Sequence, residues 1–282
     1  MNVRSDLVVD SRCLLGESPY WDPATESVAW VDIDRGELHR HVPGGTPAAP
    51  MTLPTGTSFA AAGEGGRVVA VGPFGVQVLD GAAVEPVVPT WMDPDTHRTN
   101  DGAIDPDGRL WIGTMRRDRA PGSGRIGVVA DGAWHPRTPG LTLPNGIGWS
   151  PDQRWLYYVD TFSYTLWRAE YDRSGADIGA PHPHFQISDG LLLDGLCVDL
   201  DGCVWVAVWG GSCVLRVDPS GREIGRVEVA TQKVTSCAFG PPGSSTLYIT
   251  TADPDGSGGP GAGGLYAAQV GIDGMPVATA GF

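Results

Sequence analysis

The sequence predicts an all-β protein with the architecture of a six-bladed β-propeller. Three observations lead to this prediction: one hairpin phrase recurs six times, no long segment shows helical periodicity, and Gly (41) and Pro (24) are abundant. This composition suits many short strands joined by turns. Equivalent positions of the repeats lie 40 to 48 residues apart, a spacing typical of one four-stranded blade. We therefore expect residues 1–282 to form a single propeller domain.

The repeated phrase is clearest at 193–208. An apolar arm follows Asp194, turn residues lie at 199–202, and a Val-rich second arm surrounds Trp205, as in a β-hairpin. The six copies lie at 17–32, 58–71, 100–113, 145–160, 193–208 and 236–250. Further short strands between the copies, such as 125–129 and 213–217, would complete the blades.

The last blade lacks a strand. Only one strand, at 264–270, follows the sixth hairpin, and an incomplete blade would expose an edge. The apolar segment at 7–10 can supply the missing strand. We therefore expect the N- and C-terminal strands to share a blade and close the ring.

Charge and cysteine content exclude several classes of partner. The formal net charge is −14, which disfavours nucleic acid and anionic lipid. No apolar run approaches the roughly 18 residues of a membrane span, and the start lacks the layout of a signal peptide. The five cysteines form no C-x-x-C pair, which favours buried reduced thiols over a thiolate zinc site. We expect a cytoplasmic protein whose partner is a small molecule, with neither nucleic acid nor membrane.

Each hairpin copy carries one polar residue at nearly the same phase, 11 to 13 residues before an anchor in its second arm. The first strand of a propeller blade lines the central channel, so these residues should meet at one end of it. Asn-Gly and Asp-Gly are also ordinary turn signals, but the shared phase of the set favours a site. The six residues are Glu17, Ser58, Asn100, Asn145, Asp194 and Ser236.

The chemistry of this ring favours a divalent cation. Two carboxylates, Glu17 and Asp194, would repel each other across a narrow channel unless a cation lay between them. The donors are all oxygen atoms, which favours Ca²⁺, Mg²⁺ or Mn²⁺, with Zn²⁺ as an alternative in an open three-ligand site. Glu17, Asn145 and Asp194 come from alternate sides of the ring and would leave positions for water and substrate.

Five phrases resemble those of the SMP-30/gluconolactonase family, which includes regucalcin and bacterial sugar lactonases. They are Leu-Gly-Glu-Ser-Pro at 15–19, Arg-Thr-Asn-Asp-Gly at 98–102 with Gly-Thr-Met at 113–115, Leu-Pro-Asn-Gly at 143–146, Asp-Gly-Leu-Cys-Val-Asp at 194–199, and Thr-Ser-Cys-Ala-Phe-Gly at 235–240. They follow the family's order along the chain. Each phrase is weak alone, but the ordered set is specific.

The resemblance implies a lactonase that hydrolyses a sugar aldonolactone to the aldonic acid through one divalent metal ion and a metal-activated water. Ca²⁺ is the first expectation for the ion, with Zn²⁺, Mn²⁺, Mg²⁺ and Fe²⁺ as alternatives. The family's metal ligands correspond to Glu17, Asn145 and Asp194, and its substrate clamp corresponds to Arg98 and Asn100. A further acidic substrate contact would correspond to Asp118. Two arginines precede Asp118, unlike the family pattern, so a solvated loop charge is the alternative there.

In this interpretation Asp194 is the catalytic residue, which accepts the proton of the attacking water and returns it to the leaving ring oxygen. Arg98 would hold sugar hydroxyls or developing negative charge, although an ion pair with Asp93 or Asp95 is its alternative role. Two other functions stay open at this point. One is an ester or organophosphate hydrolase that uses the same metal site, and the other is a non-enzymatic calcium-binding propeller.

Overall fold

The computed structural model describes residues 1–46, 48–188 and 190–282. In these residues, 26 β-strands form six sheets, each of which is one blade of a β-propeller, as predicted. The strands are short because turn-forming Gly, Asp and Pro residues interrupt the chain every few residues. No helix among the described residues has the length and apolar character needed to cross a membrane.

The strands follow one another around the ring in chain order. The first two strands, β1 (Asn2–Arg4) and β2 (Asp6–Val9), join the last two blades. Blade 1 contains β3 (Gly16–Asp22), β4 (Ser27–Asp32), β5 (Glu37–His41) and β6 (Met51–Thr52). Blade 2 contains β7 (Phe59–Ala62), β8 (Val68–Gly72), β9 (Gly75–Asp80) and β10 (Ala83–Val88), with a 3-10 turn at Glu64–Gly66. Blade 3 contains β11 (His97–Ile104), β12 (Leu110–Arg116), β13 (Arg125–Ala130) and β14 (Ala133–Pro136).

Blades 4 to 6 follow the same plan. Blade 4 contains β15 (Pro144–Trp149), β16 (Trp155–Asp160), β17 (Thr165–Asp172), β18 (Asp177–Ile178) and β19 (His182–Gln186), with a 3-10 turn at Thr161–Ser163. Blade 5 contains β20 (Leu192–Val198), β21 (Val204–Trp209), β22 (Cys213–Val217) and β23 (Glu223–Glu228). Blade 6 contains β24 (Val234–Phe239), β25 (Thr246–Thr251) and β26 (Leu265–Gln269). The first strand of each blade contacts the first strand of the next, and β24 returns to β3, which closes the ring.

The hydrophobic core lies between neighbouring blades. Six clusters of buried apolar side chains each span one blade interface, and Trp30, Trp111 and Trp205 are among their largest fully buried members. Burying one large apolar side chain contributes roughly 1.5–3 kcal/mol. The five cysteines are free thiols, as predicted, and all but Cys197 are buried.

A repeated Asp-x-Asp-Gly phrase braces the hairpins of blades 3 and 5. In blade 3 the buried Asp105 carboxylate accepts hydrogen bonds from the backbone N–H of Arg109 (2.9 Å) and from Trp111 Nε1 (3.1 Å). In blade 5 Asp199 accepts the equivalent bonds from Cys203 N (2.9 Å) and Trp205 Nε1 (2.9 Å). Each buried carboxylate therefore fixes its turn to the tryptophan of the following strand, since buried polar groups require partners.

The two termini share blade 6, which confirms the predicted closure. Strand β2 pairs with β26, with Leu7 opposite Tyr266, and supplies the fourth strand of that blade. Strand β1 was not predicted. It pairs in parallel with β23, with Val3 opposite Val227, so the N-terminal segment ties blade 5 to blade 6.

The segment at 271–282, which the sequence analysis left unassigned, crosses one end of the channel. Met275 N donates to Val198 O (3.0 Å) in blade 5, and Ala280 N donates to Ala62 O (2.9 Å) in blade 2. Arg67 Nη2 donates to Phe282 O at 2.6 Å. The segment thus spans the ring at the end opposite to the predicted site.

Candidate metal centre

The innermost strands are irregular where the sequence places the ring of polar residues. A β-bulge adds a residue to one strand and re-aims a side chain, and bulges are over-represented next to active sites. The residue after one predicted ligand, Ser18, has φ 48°, and the residue after another, Gly146, has φ 34°. The register of the innermost strand shifts in five of the six blades, between Glu17 and Tyr20, Thr99 and Gly102, Asn145 and Ile147, Leu193 and Leu196, and Val234 and Ser236.

The structure brings the three predicted metal ligands together. Glu17, Asn145 and Asp194 line one cavity of about 200 Å³, and each exposes 7% or less of its surface. Arg98 and Asn100 line the same cavity. Its volume lies below the roughly 300 Å³ at which pockets for drug-sized ligands begin, so it suits a smaller molecule.

Hydrogen bonds orient the Asn145 side chain and leave one lone pair of its carbonyl oxygen free. Its Nδ2 donates to Thr161 Oγ1 at 3.0 Å, and Thr161 Oγ1 in turn donates to Leu193 O at 2.8 Å. Asn145 Oδ1 accepts one hydrogen bond, from Asn100 Nδ2 at 2.8 Å. An amide oxygen has two lone pairs, so Oδ1 keeps one for a cation.

An unpaired buried oxygen and two carboxylates with raised pKa values also indicate that a divalent cation would fit among these donors. Asp194 Oδ1 is buried and has no hydrogen-bond partner in the described residues. Burial raises the pKa of Glu17 well above its usual value, and the neighbouring charges of Asp194 and Asp101 raise it further. Burial and the charge of Asp101 raise the pKa of Asp194 in the same way. A bound cation would satisfy the unpaired oxygen and favour both ionised carboxylates, because an opposite charge stabilises the anion.

Asp101 is a third buried carboxylate that the sequence analysis missed as a site residue. Its Oδ2 accepts the Gly146 N–H at 2.9 Å, and its Oδ1 accepts the Ser18 hydroxyl at 3.3 Å. Ser18 and Gly146 directly follow the predicted ligands Glu17 and Asn145. Asp101 therefore connects blade 3 to the residues next to two predicted ligands, in blades 1 and 4. Burial raises the pKa of Asp101 to about 6. Its position beside Asn100, in an Asn-Asp-Gly sequence within β11, was the available signal.

Arg98 faces the cavity without an ion pair. Its side chain has no hydrogen bond or salt bridge among the described residues, so the alternative pairing with Asp93 or Asp95 is absent there. Burial lowers the pKa of Arg98, and the positive charges of Arg117 and Arg119 lower it further, while Glu17 opposes them.

The structure does not bring Asp118 to the cavity. Arg116 holds the Asp118 carboxylate in a bidentate ion pair, with Nε–Oδ1 at 2.9 Å and Nη2–Oδ2 at 2.6 Å. The Asp118 side chain is 55% exposed and does not line the cavity. The alternative of a loop charge therefore describes this geometry, and Arg119, the next residue, lines the cavity instead.

Apart from Thr161, the remaining walls of the cavity are apolar. These residues are far apart in the sequence and lie in or next to strands of blades 1, 4 and 5, so no local pattern identifies them as a group. They are Leu15, Leu143, Phe162, Leu192 and Trp209.

Two other features are structural. Cys13, Asp32 and His39 lie close enough to share a metal ion, but both Asp32 oxygens already accept hydrogen bonds, from the backbone N–H groups of Leu14 and Leu15 and from Arg35.

A larger cavity of about 450 Å³ lies at the opposite channel end, under the 271–282 segment, and its described lining has no carboxylate, histidine, lysine or arginine. The acid–base chemistry is therefore concentrated at the smaller cavity.

The chain is similar to known proteins of one family over most of its length. Residues 15–253 match the family model described as SMP-30/Gluconolactonase/LRE-like region. The pentonolactonase XacC of Haloferax volcanii is 36% identical over 288 residues, with 95% of each chain covered. Rabbit (Oryctolagus cuniculus) regucalcin is 31% identical over 291 residues, with 98% of this chain and 97% of regucalcin covered. The crystal structure of a calcium-binding protein, regucalcin, from Agrobacterium tumefaciens superposes with a TM-score of 0.92 at 29% identity and covers 100% of this chain and 99% of that chain.

Proposed function

The chain belongs to the SMP-30/gluconolactonase/LRE-like family, and on this premise we propose that it is a lactonase that hydrolyses a sugar lactone to the corresponding aldonic acid. In this proposal one divalent cation is held by Glu17, Asn145 and Asp194. The observation that carries the proposal is the buried, unpaired Asp194 Oδ1 beside two further oxygen donors in a cavity of small-molecule size. The name of the Haloferax relative, a pentonolactonase, supports the substrate class.

The donor set decides which cations suit the site. Two carboxylates and one amide oxygen are hard ligands, so Ca²⁺ is the first candidate, and the regucalcin structure with a TM-score of 0.92 is described as a calcium-binding protein. When bound, the cation would act as a Lewis acid toward the lactone carbonyl and lower the pKa of a water molecule.

Asp194 is the proposed general base. Its Oδ1 would bind the cation, and the second oxygen of the same carboxylate, Oδ2, would accept the proton of the attacking water. The water oxygen forms a bond to the lactone carbonyl carbon, and the bond from that carbon to the ring oxygen then breaks. Asp194 returns the proton to the leaving ring oxygen, which becomes the free hydroxyl of the aldonic acid.

Arg98 and Asn100 are the proposed substrate contacts. Arg98 presents an unpaired guanidinium to the cavity, which suits negative charge developing on the carbonyl oxygen. Asn100 Nδ2 is already committed to Pro144 O (2.9 Å) and Asn145 Oδ1 (2.8 Å). Its Oδ1 therefore remains to accept a sugar hydroxyl, while its Nδ2 orients the metal ligand Asn145.

The test is lactone hydrolysis by protein stripped of metal and then supplied with Ca²⁺, Mn²⁺, Mg²⁺, Zn²⁺ or Fe²⁺. Acid release from arabinono-, xylono-, galactono- and gluconolactone is followed with a pH indicator and corrected for spontaneous hydrolysis. We expect stripped protein to be inactive and at least one cation to restore turnover. Asp194→Asn should lower kcat by roughly 100-fold or more, as for loss of a general base.

The matched control is Asp131→Asn, which removes one carboxylate from an exposed turn between β13 and β14. It should keep the wild-type rate. Full activity of the stripped protein would refute the metal requirement, and wild-type turnover by Asp194→Asn would refute the assignment of the base. Hydrolysis of simple esters or organophosphates without any lactone turnover would move the protein to the other hydrolase class.

A further inference from the structure

The loop between β12 and β13 places a second arginine beside the metal centre. Arg117, Asp118 and Arg119 begin this loop directly after Arg116, the last residue of β12. Arg116 is paired with Asp118, and Arg117 Nε donates to Pro94 O at 2.9 Å. Arg119 has neither a hydrogen bond nor a salt bridge from its side chain among the described residues, and it lines the same cavity as the three ligands. Of the loop's charged groups, only Arg119 is left for a ligand.

The backbone holds Arg119 in this position. Arg119 has φ 57°, a left-handed conformation that is uncommon for a non-glycine residue. The turn is closed by Arg119 N, which donates to Arg116 O (3.0 Å), and by Ala120 N, which donates to Asp118 Oδ1 (3.1 Å). The guanidinium lies 5.7 Å from the ring centroid of Phe162, another wall of the cavity, in a cation–π contact.

The charges of the site leave Arg119 uncompensated. Glu17, Asp101 and Asp194 together carry three negative charges, which the proposed divalent cation and Arg98 would balance. Farther out, the charges of Arg117 and Asp34 act on Arg98 in opposite directions. The protein has a formal net charge of −14 and pairs most of its arginines with carboxylates, whereas Arg119 is exposed, lines the cavity and has no carboxylate partner, which suits a ligand with the opposite charge.

We propose that the substrate is an anionic sugar lactone, with a carboxylate or phosphate at the end of the sugar away from the lactone carbonyl, and that Arg119 binds this group. This inference rests on the lactonase function proposed above. The lactone carbonyl lies toward Glu17, Asn145 and Asp194, and the anionic end lies toward Arg119 and Phe162. Arg119 is thus a specificity-determining residue.

The test compares pairs of lactones that differ only in the distal group, which is neutral in one member and anionic in the other. Galactono-1,4-lactone is paired with galactaro-1,4-lactone, in which a carboxylate replaces the terminal hydroxymethyl group, and glucono-1,5-lactone is paired with its 6-phosphate. We expect wild-type kcat/KM to be at least about 10-fold higher for the charged member of one pair, as for one charge-assisted hydrogen bond. The pair that shows the preference identifies the anion as carboxylate or phosphate.

Arg119→Met removes the charge and keeps an unbranched side chain beside Phe162. The charged-to-neutral ratio of kcat/KM should fall roughly 10- to 100-fold in this variant. Arg154→Met is the matched control. Arg154 is exposed in the turn between β15 and β16, at the end of β15 that is farther from the cavity. Its ratio should equal that of the wild type. The proposal is overturned if the wild type hydrolyses lactones but prefers neither charged lactone, or if Arg119→Met leaves the ratio unchanged.

A binding measurement separates this proposal from the lactonase function. Titration calorimetry of galactarate and galactonate with the metal-loaded protein measures the contribution of the second carboxylate without turnover. Where the kinetic test identifies the anion as a carboxylate, we expect galactarate to bind at least about 10-fold tighter than galactonate to the wild type, and this difference to disappear in Arg119→Met. If no lactone is hydrolysed but the difference is present, the lactonase proposal fails and the anion subsite stands. Gluconate and its 6-phosphate are compared in the same way, and equal affinities within both pairs would overturn the subsite.

Discussion

Asp101 Oδ2 in blade 3 accepts a hydrogen bond from the backbone N–H of Gly146 in blade 4 at 2.9 Å. The same carboxylate reaches Ser18 in blade 1 through its other oxygen. The residues on either side of this bridge follow the predicted ligands Glu17 and Asn145. We therefore expect Asp101 to act as a positioning residue that sets the separation of two predicted ligands on different blades.

Asp101→Asn should weaken metal binding without lowering the stability of the metal-free protein. The variant has one acceptor oxygen where the carboxylate has two, so it cannot accept both hydrogen bonds. Loss of an outer partner typically costs about 10-fold in metal affinity. Removal of a buried carboxylate with a raised pKa should leave the metal-free Tm unchanged or higher. Calcium titration and differential scanning fluorimetry check both effects, with Asp131→Asn as control. Unchanged calcium affinity would contradict the positioning role.

The stabilisation by Ca²⁺ should be larger at pH 7.5 than at pH 5. Folding raises the pKa of Glu17, Asp101 and Asp194, so the folded metal-free protein binds more protons than the unfolded chain above pH of roughly 4. The stability contributed by these groups is therefore lost as the pH rises through their folded pKa values, which include about 6 for Asp101. A cation competes with the protons and reverses this loss.

The measurement is the Ca²⁺-induced change in Tm at both pH values and constant ionic strength. Asp194→Asn should show a smaller change at pH 7.5, because it removes a ligand and a charge. An equal Tm change at the two pH values in the wild type would show that these carboxylates do not titrate with the metal site.

Asn100→Asp should destabilise the metal-free protein and increase the stabilisation by Ca²⁺. A carboxylate cannot donate to Pro144 O and Asn145 Oδ1 as Asn100 Nδ2 does. It also adds a buried negative charge beside Asp194 and Glu17. We expect a loss of about 2 kcal/mol, or about 4–8 °C in Tm, without metal. Fluorimetry with and without Ca²⁺ checks this, and Asn100→Ala, which adds no charge, should show the loss without the larger Ca²⁺ response. The same response in both variants would argue against an electrostatic cause.

Truncation of the N-terminus should separate the roles of β1 and β2. Deletion of residues 2–4 removes a short, mostly exposed strand and the exposed Arg4–Glu228 ion pair, and it should cost under about 1 kcal/mol, or about 2–4 °C in Tm. Deletion of residues 2–9 also removes β2, the closing strand of blade 6, and should cost at least about 3 kcal/mol, or about 6–12 °C. Thermal unfolding of both variants checks the difference, and equal effects would show that β2 does not close the ring.

Most of the architecture could be predicted from patterns among residues that are close together in the sequence. A hairpin depends on neighbouring residues, so the six repeats and their 40- to 48-residue spacing predicted the blades and their order. The missing strand of the last blade predicted that β2 would close the ring. The common phase of Glu17, Asn145 and Asp194 placed them at one channel end, and Arg98 and Asn100 line the same cavity.

The remaining features of the site depend on contacts between residues that are far apart in the sequence. Asp101 is 45 residues from Gly146, and nothing local in the sequence specifies that its carboxylate reaches the neighbouring blade. The sequence equally allows Asp118 or Arg119 to enter the cavity, and the Arg116–Asp118 ion pair with the left-handed turn at Arg119 decided between them. Periodicity and turn chemistry are local and can be identified along the chain. The partner of a single charged side chain depends on which blades the ring brings together, and only the tertiary structure determines that.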